Sequence, residues 1–579
     1  MTGFLPSVPF YFRLSGAFSR WVPDFTVIIR MIVDLLGRVL LPVVLPLGGA
    51  VTALIAASWQ KHRIGWFCAL VGAGAGTATI VLRSWWNGFG DGEVVYSVAG
   101  GWSSAVGIVT VFDRTSAILG PVLFSVAFLI MLYAAGRKRY GSVFAGVYAI
   151  ALAGIGGVIV AGDLFNLFVF FEILSLCAVI LIAYERRGAA LYAALRYLLV
   201  ASVSIVFYLV GLLLLYRVTG ELAIERIVAV IQSGTPAWSV SRNRTATFGI
   251  GCILAAVATR VAVVPFHGWL PAAHGQAPTP VSAFLSGLML KSGFLAMTRV
   301  AVIAYAVAPS MVDILLLLGA VSAVAGAFMA FAQSDVKRLL AFSSISQMGF
   351  VVAAFAGGAV EAALFHAVAH AVFKSLLFLV VGLMVDRYES HDLETLRARY
   401  GGAGYLPEKV VFGLAAAAVI GVPGLSGFAG KELIGAGLIQ ASLIEAGSVA
   451  SAWGYPAYRA LGIASIGTVA TFLKLSSMYG GSRRCAPNTI ESRSMLQTLV
   501  IVLLGIAIVA QGFLRFDLVT WRAVGSFAGT AALGAGLFTV ARIRAGRRLA
   551  AGIAAVRVGI DGVLVLVFIG LLAFMFSAF

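Results

Sequence analysis

About sixteen stretches of predominantly apolar residues follow one another along this chain with short polar breaks between them, each close to the roughly 20 residues a helix needs to cross a bilayer. They fall at 38–58, 65–83, 116–135, 142–162, 164–184, 194–216, 247–266, 281–306, 312–333, 339–357, 360–385, 407–429, 457–480, 496–514, 521–541 and 559–578. Backbone amides in hydrocarbon have no water to bind, so such a chain must satisfy them within helices. The predicted fold class is therefore all-α: a polytopic membrane protein with about 16 transmembrane helices. Composition agrees, since 61% of the 579 residues are hydrophobic and 11% charged, with a mean hydropathy of +1.02. No soluble globular domain has such a balance.

A net charge of +18 raises the question of a nucleic-acid partner, and the placement of the charges answers it. Basic clusters follow the first span (Lys61, Arg63), the third (Arg137, Lys138, Arg139), the fifth (Arg186, Arg187) and the ninth (Lys337, Arg338). Others follow the eleventh (Arg387, Arg397, Arg399), the thirteenth (Arg483, Arg484) and the fifteenth (Arg542, Arg544, Arg547, Arg548). Every one follows an odd-numbered span, as cytoplasmic orientation signals do, so no nucleic acid is expected and both termini are predicted outside a prokaryotic plasma membrane. The weak exception is the loop after span six, where Glu221 and Glu225 accompany Arg226, Arg242 and Arg244. The loop from Ser84 to Thr115 holds the β-prone VVYSVAGGW and reads as an external hairpin. The N-terminus lacks a basic region followed by a compact apolar run and a small-residue cleavage site, so no removed signal peptide is expected. Cys68, Cys177, Cys252 and Cys485 have neither metal nor disulfide spacing. With no P-loop, dinucleotide fingerprint or iron–sulfur cysteine cluster, no cofactor or metal is expected in this chain. Any redox or ATP chemistry would belong to other subunits.

Ionisable residues inside the spans carry the functional signal, because a charge at bilayer depth costs on the order of 3 kcal/mol and usually lines an ion path or pairs internally. In the stretch from Ala258 to Arg299, Arg260 and Lys291 flank a break punctuated by Pro265, Pro271, Pro278 and Pro280. Prolines interrupt a helix at membrane depth only where protein or a hydrated cavity meets the freed groups. Glu172 sits in FFEILSLCAV with no basic neighbour in sequence, so a cation on another helix is its expected partner. The plain alternative for any one of these charges is a structural ion pair. Span eleven places His366, His370 and Lys374 at i, i+4 and i+8 on one helical face. No third ligand completes a zinc site there, and the lysine would repel a metal, so the stripe reads as a proton relay. In span twelve, Pro423 between glycines predicts a break near Gly421–Gly427, followed by Lys431. Lys474 is a lone amine in span thirteen. Arg260 stays charged at any accessible pH, so it reads as an electrostatic modulator and the lysines as proton carriers.

Spans four to eight and nine to thirteen share an order of features: a proline-broken fourth helix with a cation (Arg260, Lys431), then a fifth with a lysine (Lys291, Lys474). Five spans per unit predict two inverted five-helix repeats with broken helices 7 and 12, an arrangement that builds paired half-channels. The expected organisation is N-terminal helices with the hairpin over 1–141, a first repeat over 142–306, an inverted second repeat over 307–480 and extra helices over 481–579.

Six motifs then carry a resemblance: GGWSSAVGIVTVFDR, GDLFNLFVFFE, PFHGWLPAAHGQAPTPVSAFLSGLMLKSG, SDVKRLLAFSSISQMGF, HAVAHAVFKSLLF and GVPGLSGFAGKE, spread over about 100–435. The chain resembles the antiporter-like subunits of respiratory complex I and the D-type subunit of the multisubunit Mrp sodium/proton antiporters. That resemblance implies a proton path in which Glu172 is the fifth-helix glutamate, Lys291 the eighth-helix lysine, Lys431 the twelfth-helix lysine, and His366, His370 and Lys374 the polar stripe of the eleventh helix. Arg260 departs from the family's usual lysine. The implied function is proton translocation in a multisubunit sodium/proton antiporter, with other membrane subunits as partners and protons and sodium as candidate ions. The rival readings are a proton-pumping subunit of a complex I-like or hydrogenase redox complex and a proton-driven partner in inorganic-carbon uptake.

Overall fold

A computed structural model describes residues 39–88, 92, 94–98, 107–233, 240–400, 406–444, 449–480 and 494–541. Among them, 14 helices are long and apolar enough to cross a membrane. The first six are α1 (Leu41–Ser58), α2 (His62–Trp86), α3 (Arg114–Ala135), α4 (Ser142–Val160), α5 (Leu164–Ile182) and α6 (Gly188–Thr219). A short amphipathic helix, α7 (Ile224–Gln232), precedes a broken pair, α8 (Val240–Val261) and α9 (Trp269–Gln276). Then come α10 (Thr279–Val307), α11 (Ser310–Ala332), α12 (Val336–Ala356) and α13 (Val360–Tyr388). The short α14 (Leu393–Arg399) leads to a second broken pair, α15 (Leu406–Ile420) and α16 (Ser426–Ile444), and the described chain closes with α17 (Val449–Ser476), α18 (Met495–Phe513) and α19 (Trp521–Ala541). The broken α15–α16 pair stands where span twelve is predicted, and the sixteenth predicted span, 559–578, lies outside the described residues.

Both predicted breaks form, and each has a visible cause. After Val261 the chain turns through Ala262, at φ +60°, and is not helical again until Trp269. Groups freed there find side-chain partners: Trp269 Nε1 donates to the Thr259 carbonyl (2.9 Å) and the Val264 N–H to Ser322 Oγ (2.9 Å). Pro280 then sits in the first turn of α10, where its missing N–H removes no helical bond. The second break runs through Gly421 (φ +94°) and Gly424 (φ +85°), a left-handed backbone that disfavours any side chain.

The predicted hairpin is also present, as β1 (Val95–Val98) pairs antiparallel with β2 (Val109–Phe112), Val95 opposite Phe112. Its turn lies outside the described residues. Thr110 bridges to Ala161 after α4, and Asp163 bridges to Ala223 before α7. Asp163 accepts from the N–H groups of Val109 (3.0 Å) and Asn166 (2.6 Å), so one carboxylate ties the hairpin to the start of α5. Burial pushes its carboxyl up from the ordinary aspartate value, and those N–H groups oppose the shift.

The opposite end collects the basic loops. Arg137 and Arg139 after α3, Glu185 after α5, Ala277 after α9, Lys337 at the start of α12 and Asp386 near the end of α13 line one cavity of about 960 Å³. The loops after spans three, five, seven, nine and eleven thus converge on one end, and the hairpin and the loops after α4 and α6 lie at the other. Five crossings from α4 to α10 and five from α11 to α17 then give the two units opposite orientations. At the centre, α12 is buried throughout and α13 almost so. Close packing of α11 on α12 needs glycine: a Cβ on Gly326 would lie 2.5 Å from Ser346 N. Small residues let membrane helices approach in this way, since apolar burial gives them little reason to associate in lipid.

Candidate functional site

The buried polar residues of the central helices form one group. It starts at a local irregularity in α10, where Leu285–Met289 winds as a π-turn. At that wider turn Lys291 Nζ, five residues on in the same helix, reaches back to the Ser286 carbonyl at 2.5 Å. Lys291 Nζ also hydrogen-bonds His370 Nδ1 on α13. Ser286 Oγ meets Ser344 Oγ of α12 at 2.8 Å, so α10, α12 and α13 are joined by polar contacts. Lys291, His366, His370 and Lys374 are all fully buried.

From His370 the group extends both ways along α13. Toward the basic end, Lys374 Nζ donates to Ser343 Oγ (2.7 Å) and the Leu340 carbonyl (3.2 Å), with the Phe472 ring 5.5 Å away. Toward the other, His366 Nε2 pairs with Gln347 Oε1 (3.0 Å), and Gly430 of α16 packs so tightly on the His366 ring that a Cβ there would collide with it. Next on α16, Lys431 Nζ donates to the carbonyls of Val419 (3.0 Å) and Ile420 (2.9 Å), the free C-terminal end of α15. A cation is favoured at that end of a helix dipole. The Phe350 ring lies 5.5 Å from this amine, and its centroid is 6.0 Å from that of His366.

Each residue singled out in the sequence can now be placed. His366, His370 and Lys374 share one face, as their spacing predicts, and Lys291 and Lys431 approach that face from α10 and α16. Glu172 does find a cation on another helix: Arg260 Nη2 lies 3.7 Å from its carboxylate. Arg260 also donates to Ser175 Oγ and to Tyr197 Oη (3.2 Å), and its guanidinium is 5.2 Å from the Phe171 ring. Lys474 stands apart. Its amine donates to the carbonyls of Phe331 and Gln333 (2.7 Å each) at the C-terminal end of α11, facing the basic side.

Several members of the site carry no role in the sequence reading. Gln347, Ser286, Ser343 and Ser344 complete the hydrogen bonds, and all but Ser286 lie in the SDVKRLLAFSSISQMGF motif. His274, on α9, is fully buried with its ring stacked on Phe378 (centroids 4.4 Å apart), and neither ring nitrogen has a protein partner. His366 Nδ1, His370 Nε2 and Gln347 Nε2 are likewise buried without one. An unmet buried polar group costs about 1–3 kcal/mol, so a run of them along α13 marks a place where protons or water are handled. Titratable groups set one or two helical turns apart along α13, with Lys291 bonded to His370, can pass protons along, because protonating one changes the affinity of the next.

Residues 161–452 match the family described as NADH:quinone oxidoreductase/Mrp antiporter, TM. The chain is 33% identical over 354 residues to the N-type subunit of the NADH-quinone oxidoreductase of Desulforudis audaxviator, covering 59% of this chain and 68% of that one. It is 28% identical over 349 residues to the D-type subunit of the Na(+)/H(+) antiporter of Bacillus subtilis, covering 58% of this chain and 68% of that one. Among solved structures, a chain of the Mrp complex from Dietzia sp. DQ12-45-1b superposes with a TM-score of 0.71 at 23% identity, over 87% of this chain and 98% of that one. That likeness shows a shared fold.

Proposed function

This chain belongs to the NADH:quinone oxidoreductase/Mrp antiporter transmembrane family, and from that premise we propose that it is the proton-translocating subunit of a multisubunit monovalent cation/proton antiporter, with sodium as the exchanged cation. The observation that carries this reading is the row of His366, His370 and Lys374 along one face of α13, with Lys291 bonded to His370 and Lys431 approaching from α16, each side chain held by its own polar partners. Protons pass between these groups, and repulsion between neighbouring amines drives the steps, since a charge on one disfavours a charge on the next. Glu172 and Arg260 flank the row in the first repeat, and Lys474 biases it from the basic end of the second. The domain division follows: 142–306 and 307–480 form the two half-channels, with 1–141 and 481–579 as flanking helices. The complex sits in a prokaryotic plasma membrane with the basic loops cytoplasmic.

A second reading has its own support, because the oxidoreductase relative is 33% identical against 28% for the antiporter relative. There the same row would be driven by quinone reduction in a partner. One experiment separates the two. The complex is purified from its native membrane, its subunits are identified, and it is reconstituted into vesicles containing a pH-sensitive dye. A sodium gradient that moves protons without an electron donor supports the antiporter, and proton movement only on adding an electron donor and a quinone supports the redox complex.

A further inference from the structure

The cavity at the basic end holds polar groups that the row on α13 does not use. Six cationic side chains line it against three carboxylates. Two of those carboxylates are engaged by arginines: Asp386 lies 3.0 Å from Arg137 and 2.9 Å from Arg139, and Glu185 lies 3.8 Å from Arg139 and 3.4 Å from Arg187. Arg387 turns to Glu408 and donates to it through both terminal nitrogens at 3.0 Å. Lys138 and Lys337 form no ion pair among the described residues, and Glu389 is the one lining carboxylate outside the pairs just named. Two buried donors there are also short of acceptors. Lys337 is 4% exposed, and its Nζ donates once, to the Ala277 carbonyl at 2.9 Å, although an ammonium carries three protons. Gln497, the third residue of α18, lines the same cavity at 2% exposure. Its Oε1 accepts from the Ser494 N–H at 3.1 Å, and its Nε2 is buried with no acceptor.

We propose that this cavity is a binding site for a phosphate group, with Lys138, Lys337 and Gln497 as its donors. Leaving buried donors unmet is costly, and an anion that accepts from them removes that cost and balances the excess of cations together. The donors arrive from separate helix ends: Lys138 after α3, Lys337 at the start of α12 and Gln497 at the start of α18. A tetrahedral phosphate offers oxygens in several directions, whereas a carboxylate offers two in one plane and chloride a single centre. Lysine suits such a ligand as a point charge that needs no fixed fork geometry. A space of about 960 Å³ also exceeds what a bare ion fills and is of the size that holds a small phosphate ester. The cavity lies where the helices reach the membrane surface, so the phosphate comes either from solution or from the headgroup of an anionic phospholipid. The site stands apart from the row and does not rest on the proton-translocation reading.

The purified complex, washed free of loosely held lipid, tests this in two arms. Inorganic phosphate is titrated calorimetrically at fixed ionic strength with chloride as the control. In parallel the complex is passed through micelles containing phosphatidylglycerol or phosphatidylcholine, and retained lipid is counted by native mass spectrometry. Saturable binding of phosphate but not chloride supports the site with a soluble source, and retention of phosphatidylglycerol over phosphatidylcholine supports it with a lipid source. Whichever binds should be weakened at least about threefold by Lys138→Ala, a substitution at an exposed position, and at least about tenfold by K138A/Q497L. Acylation of Lys138 in the unmutated protein gives a readout that needs no variant. It should slow at least about threefold when the ligand is present, with Lys61, outside the cavity, reacting at its usual rate. Binding of neither ligand, equal binding by K138A/Q497L, or a Lys138 that the ligand leaves unprotected would overturn the proposal. Binding of neither would leave the cavity to the carboxylates of a partner subunit.

Discussion

At the scale of single residues, the site depends on small polar groups that make buried amines and imidazoles tolerable. Lys291 is fully buried with one carbonyl and one imidazole for company, so its removal takes a charge from the row without stripping a carboxylate of its partner. Lys291→Ala should therefore abolish proton transport while leaving the complex assembled, measured by dye quenching and gel filtration of the same preparation. Loss of the complex would assign the lysine to packing. Gln347 is the subtler case. Its amide oxygen fixes the His366 ring at 3.0 Å, and Gln347→Met leaves that nitrogen without a partner. Transport should fall about tenfold, the size of one lost buried hydrogen bond to the row, and the apparent Tm of the complex should fall with it, since the stranded nitrogen costs about 1–3 kcal/mol. Lysines, histidines and Glu172 stand out in the sequence because they are rare against so much hydrocarbon. Gln347, Ser286 and Ser344 do not, since serine and glutamine are unremarkable in a membrane helix until the helix facing them is known. For the same reason the partner of Glu172 is legible only as some cation on another helix, and His274 escapes notice as one more residue of a proline-rich break.

At the scale of helices, the breaks follow from proline and glycine and so are readable in advance, but their caps are not. Lys431 closes the end of α15 and Lys474 the end of α11, and Arg299 does the same for α4. Arg299 donates to the carbonyls of Val158 (2.7 Å) and Ala161 (2.5 Å), to that of Ile159, and to Ser116 Oγ (2.8 Å), with Asp113 at 3.8 Å. A basic residue near the end of a predicted span reads from sequence as a boundary marker, and only packing reveals it as a plug in another helix's terminus. The π-turn at 285–289 is similarly hidden, because one extra residue in a turn leaves an apolar pattern intact. Arg299→Met removes every one of those donations at once and leaves three carbonyls at the end of α4 unmet, while Asp113 keeps its bonds from Ser116. It should destabilise the protein by on the order of 3 kcal/mol, visible as a lower apparent Tm of the purified complex. A complex that melts like the parent would mean that water or lipid meets those carbonyls as well as the guanidinium does.

For the whole molecule, the arrangement of charges is a claim about sidedness that the fold makes sharp. The loops after spans three, five, seven, nine and eleven reach one cavity, and the hairpin and the Asp163 bridge lie at the other end. An error of one in the span count would have scattered Arg137, Lys337 and Asp386 across both ends, so their meeting supports the count as far as α18. Which end faces the cytoplasm follows from the excess of Lys and Arg, a rule about insertion and not about contacts. Two exposed positions separate the possibilities: Lys138, beside the cavity, and Ser97, on β1. With Cys68, Cys177, Cys252 and Cys485 replaced by alanine, Lys138→Cys should react with a membrane-impermeant maleimide in inside-out vesicles and be spared in spheroplasts. Ser97→Cys should do the reverse. Both reacting from the same face would break the parity on which the inverted repeats rest. A full exchange of the two patterns would keep the fold and turn the basic cavity outward, so that protons exchanged with the cytoplasm would meet the row from the hairpin end.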